Sequence, residues 1–248
     1  MIKLIQVTLV LMSFCAHAQN TKNLLKTHFN PCILEEFDTS TFYSQVNILN
    51  SEFGIHDSKI ASIFKLQNRP FQLAYQQYGY KLFKDYKYSI SSAQKLNSKM
   101  SLGLNINFHQ LYISGAEKHH ALSFDLGYSY KADTYEFHIF LENPLNNNYV
   151  ENDFESRFIL NSLYYWNANL YSDLQFEESL HPGFHIRHQL TYSYQNFLSL
   201  SILQAFHPFE YGFRLGFKKG SFQIYSQYRK LTWTNATGFA LIYQPGNE

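Results

Sequence analysis

Alternation of apolar and polar residues constrains the fold of this chain more than any other feature. In SLGLNINFH, residues 101–109, the leucine, isoleucine and phenylalanine side chains occupy every second position. Successive side chains of a β-strand point to opposite faces, so this stretch is a strand with one apolar and one polar face. The same alternation recurs in LSFDLGYSYK at 122–131, FHIRHQLTYSY at 184–194 and YGFRLGFK at 211–218. The chain is therefore predicted to be all-β.

Alternating runs between turn signals predict about fourteen strands. They lie near residues 41–48, 59–66, 71–78, 84–96, 100–113, 120–131, 134–141, 155–166, 169–176, 183–194, 197–205, 211–218, 222–230 and 235–244. The connections after even-numbered strands are tight, and those after odd-numbered strands tend to be longer, as in ENPLNNNYVENDF. Outer-membrane barrels have short turns at one end, longer loops at the other and an even strand number. This sorting favours a transmembrane, antiparallel, up-and-down β-barrel.

Composition agrees with a membrane barrel, because aromatic residues reach 18% and charged residues only 16%. Tyrosines gather toward strand ends, where an interfacial aromatic belt lies in such proteins. A formal charge of +1 argues against a nucleic-acid partner. A secreted β-sandwich remains the alternative fold, and in it the same apolar face would be sealed between two sheets.

In the barrel interpretation the apolar face meets outer-membrane lipid and the polar face lines the lumen. The lipid-facing prediction covers Leu102, Leu104, Ile106, Phe108, Leu122, Phe124, Leu126, Phe213, Leu215 and Phe217. The predicted polar network in the lumen consists of Asp125, His185, Arg187 and Arg214. Gly103, Gly127, Gly212 and Gly216 lie within strands, where glycine relieves crowding or bends the sheet.

The start of the chain has the layout of a cleaved secretory signal. Lys3 precedes an apolar run, and Ala16-His17-Ala18 precedes Gln19, so residues 1–18 are predicted to be removed. Lipidation at Cys15 is the alternative. Residues 19–40 lack alternation and form either a plug or a periplasmic tail, and residues 41–248 form the barrel. The expected location is the cell outer membrane.

Candidate chemistry is sparse in this sequence. The histidines of HPGFHIRH do not suit a metal site, because His185 and His188 point to opposite faces of a strand and His181 lies too far along the chain. A hydrolase would need a base within reach of its nucleophile, and His120 and Ser123 have opposite parity. Cys32 reads as a small buried side chain or a reactive thiol. We expect no catalytic residues, metal or cofactor.

Three sequence blocks carry a resemblance to a known family. They are Asn30-Pro31-Cys32 before the first strand, the phrase KLNSKMSLGLNINF, and the phrase LSFDLGYSYKADTYEFHIFLENP. Together they resemble the FadL-like outer-membrane barrels, particularly the PorV/PorQ branch associated with type IX protein secretion. The resemblance implies a fourteen-stranded barrel that serves as an accessory component of protein secretion or surface attachment.

Three functions follow from these observations. In the first, secretion-machinery proteins or secreted cargo dock at the periplasmic rim or at loops such as 143–154. In the second, the chain is a FadL-like transporter of hydrophobic small molecules with residues 19–40 as its plug. In the third, it is a secreted β-sandwich that binds a partner.

Overall fold

A computed structural model describes residues 30–37, 39–50, 54–116, 118–145, 156–179, 183–195, 197–206, 208–231 and 234–245. The predicted signal peptide, the lipidation alternative at Cys15 and most of the 143–154 loop lie outside these ranges. A 3₁₀ helix, Pro31–Glu36, precedes fourteen strands. The strands are β1 Thr41–Asn50, β2 Ile55–Leu66, β3 Arg69–Tyr80, β4 Phe83–Lys95, β5 Met100–Ile113, β6 His119–Lys131, β7 Tyr135–Glu142, β8 Arg157–Tyr165, β9 Leu170–Ser179, β10 Phe184–Tyr194, β11 Leu198–Phe206, β12 Glu210–Lys219, β13 Phe222–Lys230 and β14 Asn235–Tyr243.

The strands form one closed antiparallel barrel in which each strand pairs with its two neighbours along the chain. Closure is completed by β1 and β14, with Phe42 opposite Tyr243 and Ile48 opposite Thr237. The fourteen-stranded barrel predicted from the sequence is confirmed, and the β-sandwich alternative is wrong. The largest boundary error is at β2, which begins at Ile55 rather than at Lys59.

The connections at the two ends of the barrel differ in length less than the sequence predicts. Those after β2, β4, β6, β8, β10 and β12 span two to four residues, whereas the connection between β7 and β8 runs from 143 to 156. At the β2–β3 turn, Gln67 and Asn68 both have positive φ, which suits a two-residue hairpin turn. The expected sorting is confirmed only for the connection between β7 and β8. The other connections after odd-numbered strands span two to five residues, and the link between β3 and β4 contains only residues 81–82.

Exposure shows which strand face points outward. On β5, Leu102, Leu104 and Ile106 are 43–53% exposed, whereas Asn107 and His109 are at most 1% exposed. The alternation requires one strand face to be buried and the other to be exposed. In this barrel the exposed face is the apolar one, which is the reverse of a soluble β-sandwich. Aromatic side chains pair near both rims, as in Phe222 with Tyr243 at one end and Tyr78 with Phe83 at the other. Among the described residues, no helix is long and apolar enough to span a membrane.

Candidate functional site

Residues Asn30–Phe37, called here the lumen segment, lie inside the barrel. They are near the end that carries the turns after even-numbered strands. The segment packs against β3, β4, β5 and β6. Its side chains at Cys32, Ile33, Leu34 and Phe37 are at most 2% exposed and form one apolar cluster with wall residues that include Tyr43 and Ile242. This end of the lumen is therefore filled by the chain itself.

Two glycines in the barrel wall allow the lumen segment to pack closely against it. Gly103 on β5 and Gly127 on β6 are directly opposite each other in the barrel wall. A Cβ atom added at Gly103 would lie 2.3 Å from the backbone N of Cys32, and one at Gly127 would lie 2.0 Å from Oδ1 of Asn30. Real Cβ atoms do not approach other atoms so closely. Any other residue at these positions would displace the segment or the wall.

Hydrogen bonds order the lumen segment internally and attach it to the barrel wall. Asn30 caps the 3₁₀ helix, because its Oδ1 accepts a hydrogen bond from the backbone N of Cys32 at 3.1 Å. Ser101 Oγ donates to the carbonyl oxygen of Cys32 at 3.2 Å, and the backbone N of Lys95 donates to Glu35 Oε1 at 3.0 Å. Such specific polar contacts fix the segment in one position.

The Cys32 thiol is a buried structural group. Its Sγ donates a hydrogen bond to Asn30 Oδ1 at 2.7 Å, and it forms no disulfide. Burial away from water, together with the negative charge of Glu36, raises the pKa of this thiol. Because the thiolate is the reactive form, this environment does not suit a nucleophile.

One polar cluster surrounds Asp125 on β6. Its Oδ2 accepts hydrogen bonds from Asn105 at 3.1 Å and Asn107 at 2.8 Å, and its Oδ1 accepts one from the backbone N of Asn143 at 3.1 Å. Lys87 Nζ lies 3.9 Å from the same carboxylate. Asp125 has no exposed surface, so these partners replace the water that the carboxylate has lost.

An ion-pair chain continues from this cluster along the barrel wall. Lys87 Nζ lies 3.3 Å from Glu142 Oε1, Glu142 also pairs with Arg157, and Arg157 Nη1 lies 3.1 Å from Glu177 Oε1. Lys87 and Arg157 therefore each contact two of the three carboxylates. The buried Lys59 on β2 interacts electrostatically with Lys87 and Glu142 and supplies a third cation on this side of the lumen.

The opposite pattern holds on β10, β12 and β13, where Arg187, Arg214 and Arg229 form what we call the arginine group. Arg214 Nη2 donates a hydrogen bond to Gln227 Oε1 at 3.2 Å. Arg187 interacts electrostatically with both Arg214 and Arg229. The carboxylates of Glu210 and Asp57 also act on Arg229, so the positive charge on this side of the lumen is partly, not fully, balanced.

A cavity of about 210 Å³ lies between the lumen segment and the arginine group. At roughly 30 Å³ per water molecule, it has room for about seven waters or one small organic molecule. Its lining includes Asn30, Ile33, Asp57, Phe140, Ile159, Asp173, Leu203, Arg187, Arg214 and Arg229. The cavity thus offers both an apolar surface and a cationic one.

The four residues of the predicted lumen network do not form one network. Asp125 is hydrogen-bonded within the cluster on β5 and β6, whereas His185, Arg187 and Arg214 lie on β10 and β12. His185 interacts electrostatically with Arg187. The division follows from the closed topology, because β6 is separated from β10 by three strands.

The residues predicted to face lipid all point away from the lumen. Eight of the ten are at least 40% exposed, and Phe124 and Leu215 are partly exposed. They form part of a continuous apolar outer surface. That this surface contacts lipid stays a prediction.

The structure also places a histidine beside a serine. A ring nitrogen of His109 on β5 lies 2.9 Å from Ser123 Oγ on β6. The sequence prediction concerns only His120, which is on the same strand as Ser123, and so does not include this pair. Both side chains are buried, Ser123 also accepts a hydrogen bond from Asn107, and neither lines the cavity. Among the described residues, no group of three histidine, cysteine or acidic side chains is arranged to hold a metal ion.

Comparison with known proteins gives similarity of structure without similarity of sequence. No protein family matches the chain, and no curated protein matches it significantly. The fold is similar to that of the toluene transporter TodX of Pseudomonas putida, with a TM-score of 0.62 and 9% identity over 92% of this chain and 93% of that one.

Two other proteins of known structure have the same kind of fold. A FadL homologue of Pseudomonas aeruginosa has a TM-score of 0.60 and 8% identity, over 87% of this chain and 91% of that one. The outer membrane protein Omp33 of Acinetobacter baumannii has a TM-score of 0.56 and 7% identity, over 84% and 98% of the two chains. The closed barrel is therefore a fold that this chain shares with a protein of the outer membrane.

Proposed function

We propose that this protein is an outer-membrane channel for a small molecule, with the lumen segment as its plug. The observation that carries the proposal is the closed barrel that holds a short chain segment on one side of a cavity. The segment is attached to the wall by noncovalent contacts and borders a cavity of about 210 Å³. The structural similarity to TodX and to a FadL homologue supports transport of a small hydrophobic or amphiphilic molecule.

The proposal places the apolar outer surface in lipid. Leu104→Arg, in the middle of β5, is then expected to destabilise the barrel by about 2–4 kcal/mol, because it moves a charge into hydrocarbon. The matched change Leu66→Arg, at the rim end of β2, is expected to cost only about 0–1 kcal/mol. Urea unfolding of both variants in lipid vesicles measures the difference. Equal costs for the two variants would contradict a membrane-embedded outer surface.

Deleting residues 30–37 tests the plug. Full-length protein in liposomes is expected to admit arabinose slowly, and the deletion is expected to admit it much faster, because the filled end of the lumen becomes open. Liposome swelling measures the rate, and a heat-dependent shift in gel mobility verifies that the deleted barrel has folded.

The same experiment can reject the channel. If the folded deletion variant admits arabinose no faster than the full chain, the lumen is not a route for solutes. A purified protein that retains a bound lipid or other small molecule, and loses it in the deletion variant, would further support transport.

An accessory role in protein secretion is the second candidate, and it rests on the sequence resemblance. That role requires partners, so affinity purification from the native membrane should recover secretion components together with the protein. Recovery of the barrel without such components, combined with rapid solute uptake after plug deletion, favours the channel.

A further inference from the structure

We propose that the cavity binds a small organic carboxylate, whose anionic end contacts the arginine group and whose apolar body contacts the facing wall. This inference rests on the proposed channel function and names the class of molecule that the channel takes up. Its first observation is that some arginines in the lumen form ion pairs with carboxylates and others do not.

Arg157 and the arginine group differ in their partners. Arg157 pairs with both Glu142 and Glu177. In the described part of the chain, by contrast, no carboxylate lies within 4.0 Å of a nitrogen of Arg187, Arg214 or Arg229. Glu210 and Asp57 act on Arg229 only from beyond ion-pair distance. Three neighbouring cations in a partly dehydrated lumen are therefore incompletely compensated, and an anion bound among them would be stabilised.

The hydrogen-bonding capacity of the arginine group is also incompletely used. The Nε atoms of Arg187 and Arg229 are buried and have no hydrogen-bond partner in the described structure. Guanidinium groups bind carboxylates through paired, charge-assisted hydrogen bonds. A carboxylate in the cavity would supply both the missing charge and the missing acceptors.

The two carboxylates that line the cavity already accept hydrogen bonds from neighbouring amide side chains. Asp57 accepts hydrogen bonds from Gln76 at 2.9 Å and Asn47 at 3.3 Å. Asp173 accepts one from Asn161. With three guanidinium groups facing two such aspartates, the lining carries an excess of positive charge.

Small residues in the wall give the arginine side chains their space. Ala205 pairs with Arg187 across β10 and β11, and Gly212 pairs with Arg229 across β12 and β13. A Cβ atom at Gly212 would lie 2.4 Å from the backbone O of Tyr228 and 2.9 Å from Cγ of Arg229. The wall is therefore shaped around these side chains.

The remaining wall of the cavity selects for an amphiphilic ligand. Ile33, Phe140, Ile159 and Leu203 contribute apolar surface to the same cavity as the arginine group. An inorganic anion would leave that surface in contact with water, whereas a carboxylate with an apolar body would cover it. The lining thus favours an organic anion of small size.

Titration calorimetry on the full-length protein in detergent tests this assignment, with benzoate, its neutral isostere benzamide and inorganic phosphate as probes. We expect benzoate to bind, benzamide to bind at least about tenfold more weakly, and the double variant R214Q/R229Q to weaken benzoate binding by about tenfold or more. The control R69Q removes an exposed arginine at the rim and is expected to leave benzoate binding unchanged.

Several results would overturn the assignment. These are equal binding of benzoate and benzamide, binding of phosphate but not benzoate, and unchanged benzoate affinity in folded R214Q/R229Q protein. The single variant R229Q serves if the double variant does not fold. Benzoate binding in detergent without arabinose uptake by the deletion variant would reject the channel but keep the site. Uptake without preference for benzoate would keep the channel and reject the site.

Discussion

Replacing Gly103 with valine is expected to release the lumen segment and to increase arabinose uptake strongly. The added Cβ would lie 2.3 Å from the backbone N of Cys32 and 2.5 Å from the carbonyl carbon of Pro31, and neither atom belongs to a flexible side chain. Overpacking of this kind costs about 1–3 kcal/mol. If the segment moves rather than the wall, the ratio of open to plugged barrels rises by about five- to 150-fold.

Gly238→Val is the matched control for this prediction. Gly238 also faces the lumen, but a Cβ there would meet mainly the movable side-chain ends of Asn47 and Gln227. Its uptake rate in liposome swelling is expected to stay near that of the unchanged protein. A folded Gly103→Val barrel with unchanged uptake would mean that the wall yields and the segment stays in place.

Asp125→Ala is expected to cause the largest loss of stability among single changes in the lumen. The substitution leaves Asn105, Asn107 and the backbone N of Asn143 without their common acceptor, and it removes one of the two carboxylates near Lys87. Breaking one partner out of a buried charged cluster costs about 3–5 kcal/mol. Urea unfolding in lipid vesicles measures the change.

Asp133→Ala provides the comparison, because Asp133 is exposed in the short connection between β6 and β7. Surface substitutions of this type usually change stability by less than about 0.5 kcal/mol. If both variants unfold at the same urea concentration, the Asp125 cluster contributes little to the stability of the barrel.

The strand content and the facing of side chains could be predicted because both are local properties. Parity along a strand decides which residues share a face, so residues 101–109 alone indicate one polar and one apolar surface. Alternation alone does not distinguish a membrane barrel from a sandwich, and the predicted sorting of connections holds only for the long link between β7 and β8. The even number of strands is the sequence signal for a barrel that the structure confirms. The same local reasoning placed Arg187 and Arg214 on the polar face.

The grouping of residues around the lumen could not be predicted in this way. Contacts across a barrel depend on closure and on the stagger between strands, and neither is encoded by alternation. Parity alone therefore groups Asp125 with Arg187 and gives no reason to single out Arg229. The 3₁₀ helix Pro31–Glu36 is too short to give a periodic signal, so its position inside the barrel was one of two open alternatives.

The pairing of β1 with β14 has a consequence for biogenesis. The lumen segment directly precedes β1 in sequence, yet it is encircled by a wall whose seam is made by the first and fourteenth strands. A ring that closed before the segment entered would have to be threaded afterwards through a crowded opening. Assembly is therefore simplest if the barrel closes around Asn30–Phe37, so that this segment serves as a template against which the last hairpins fold.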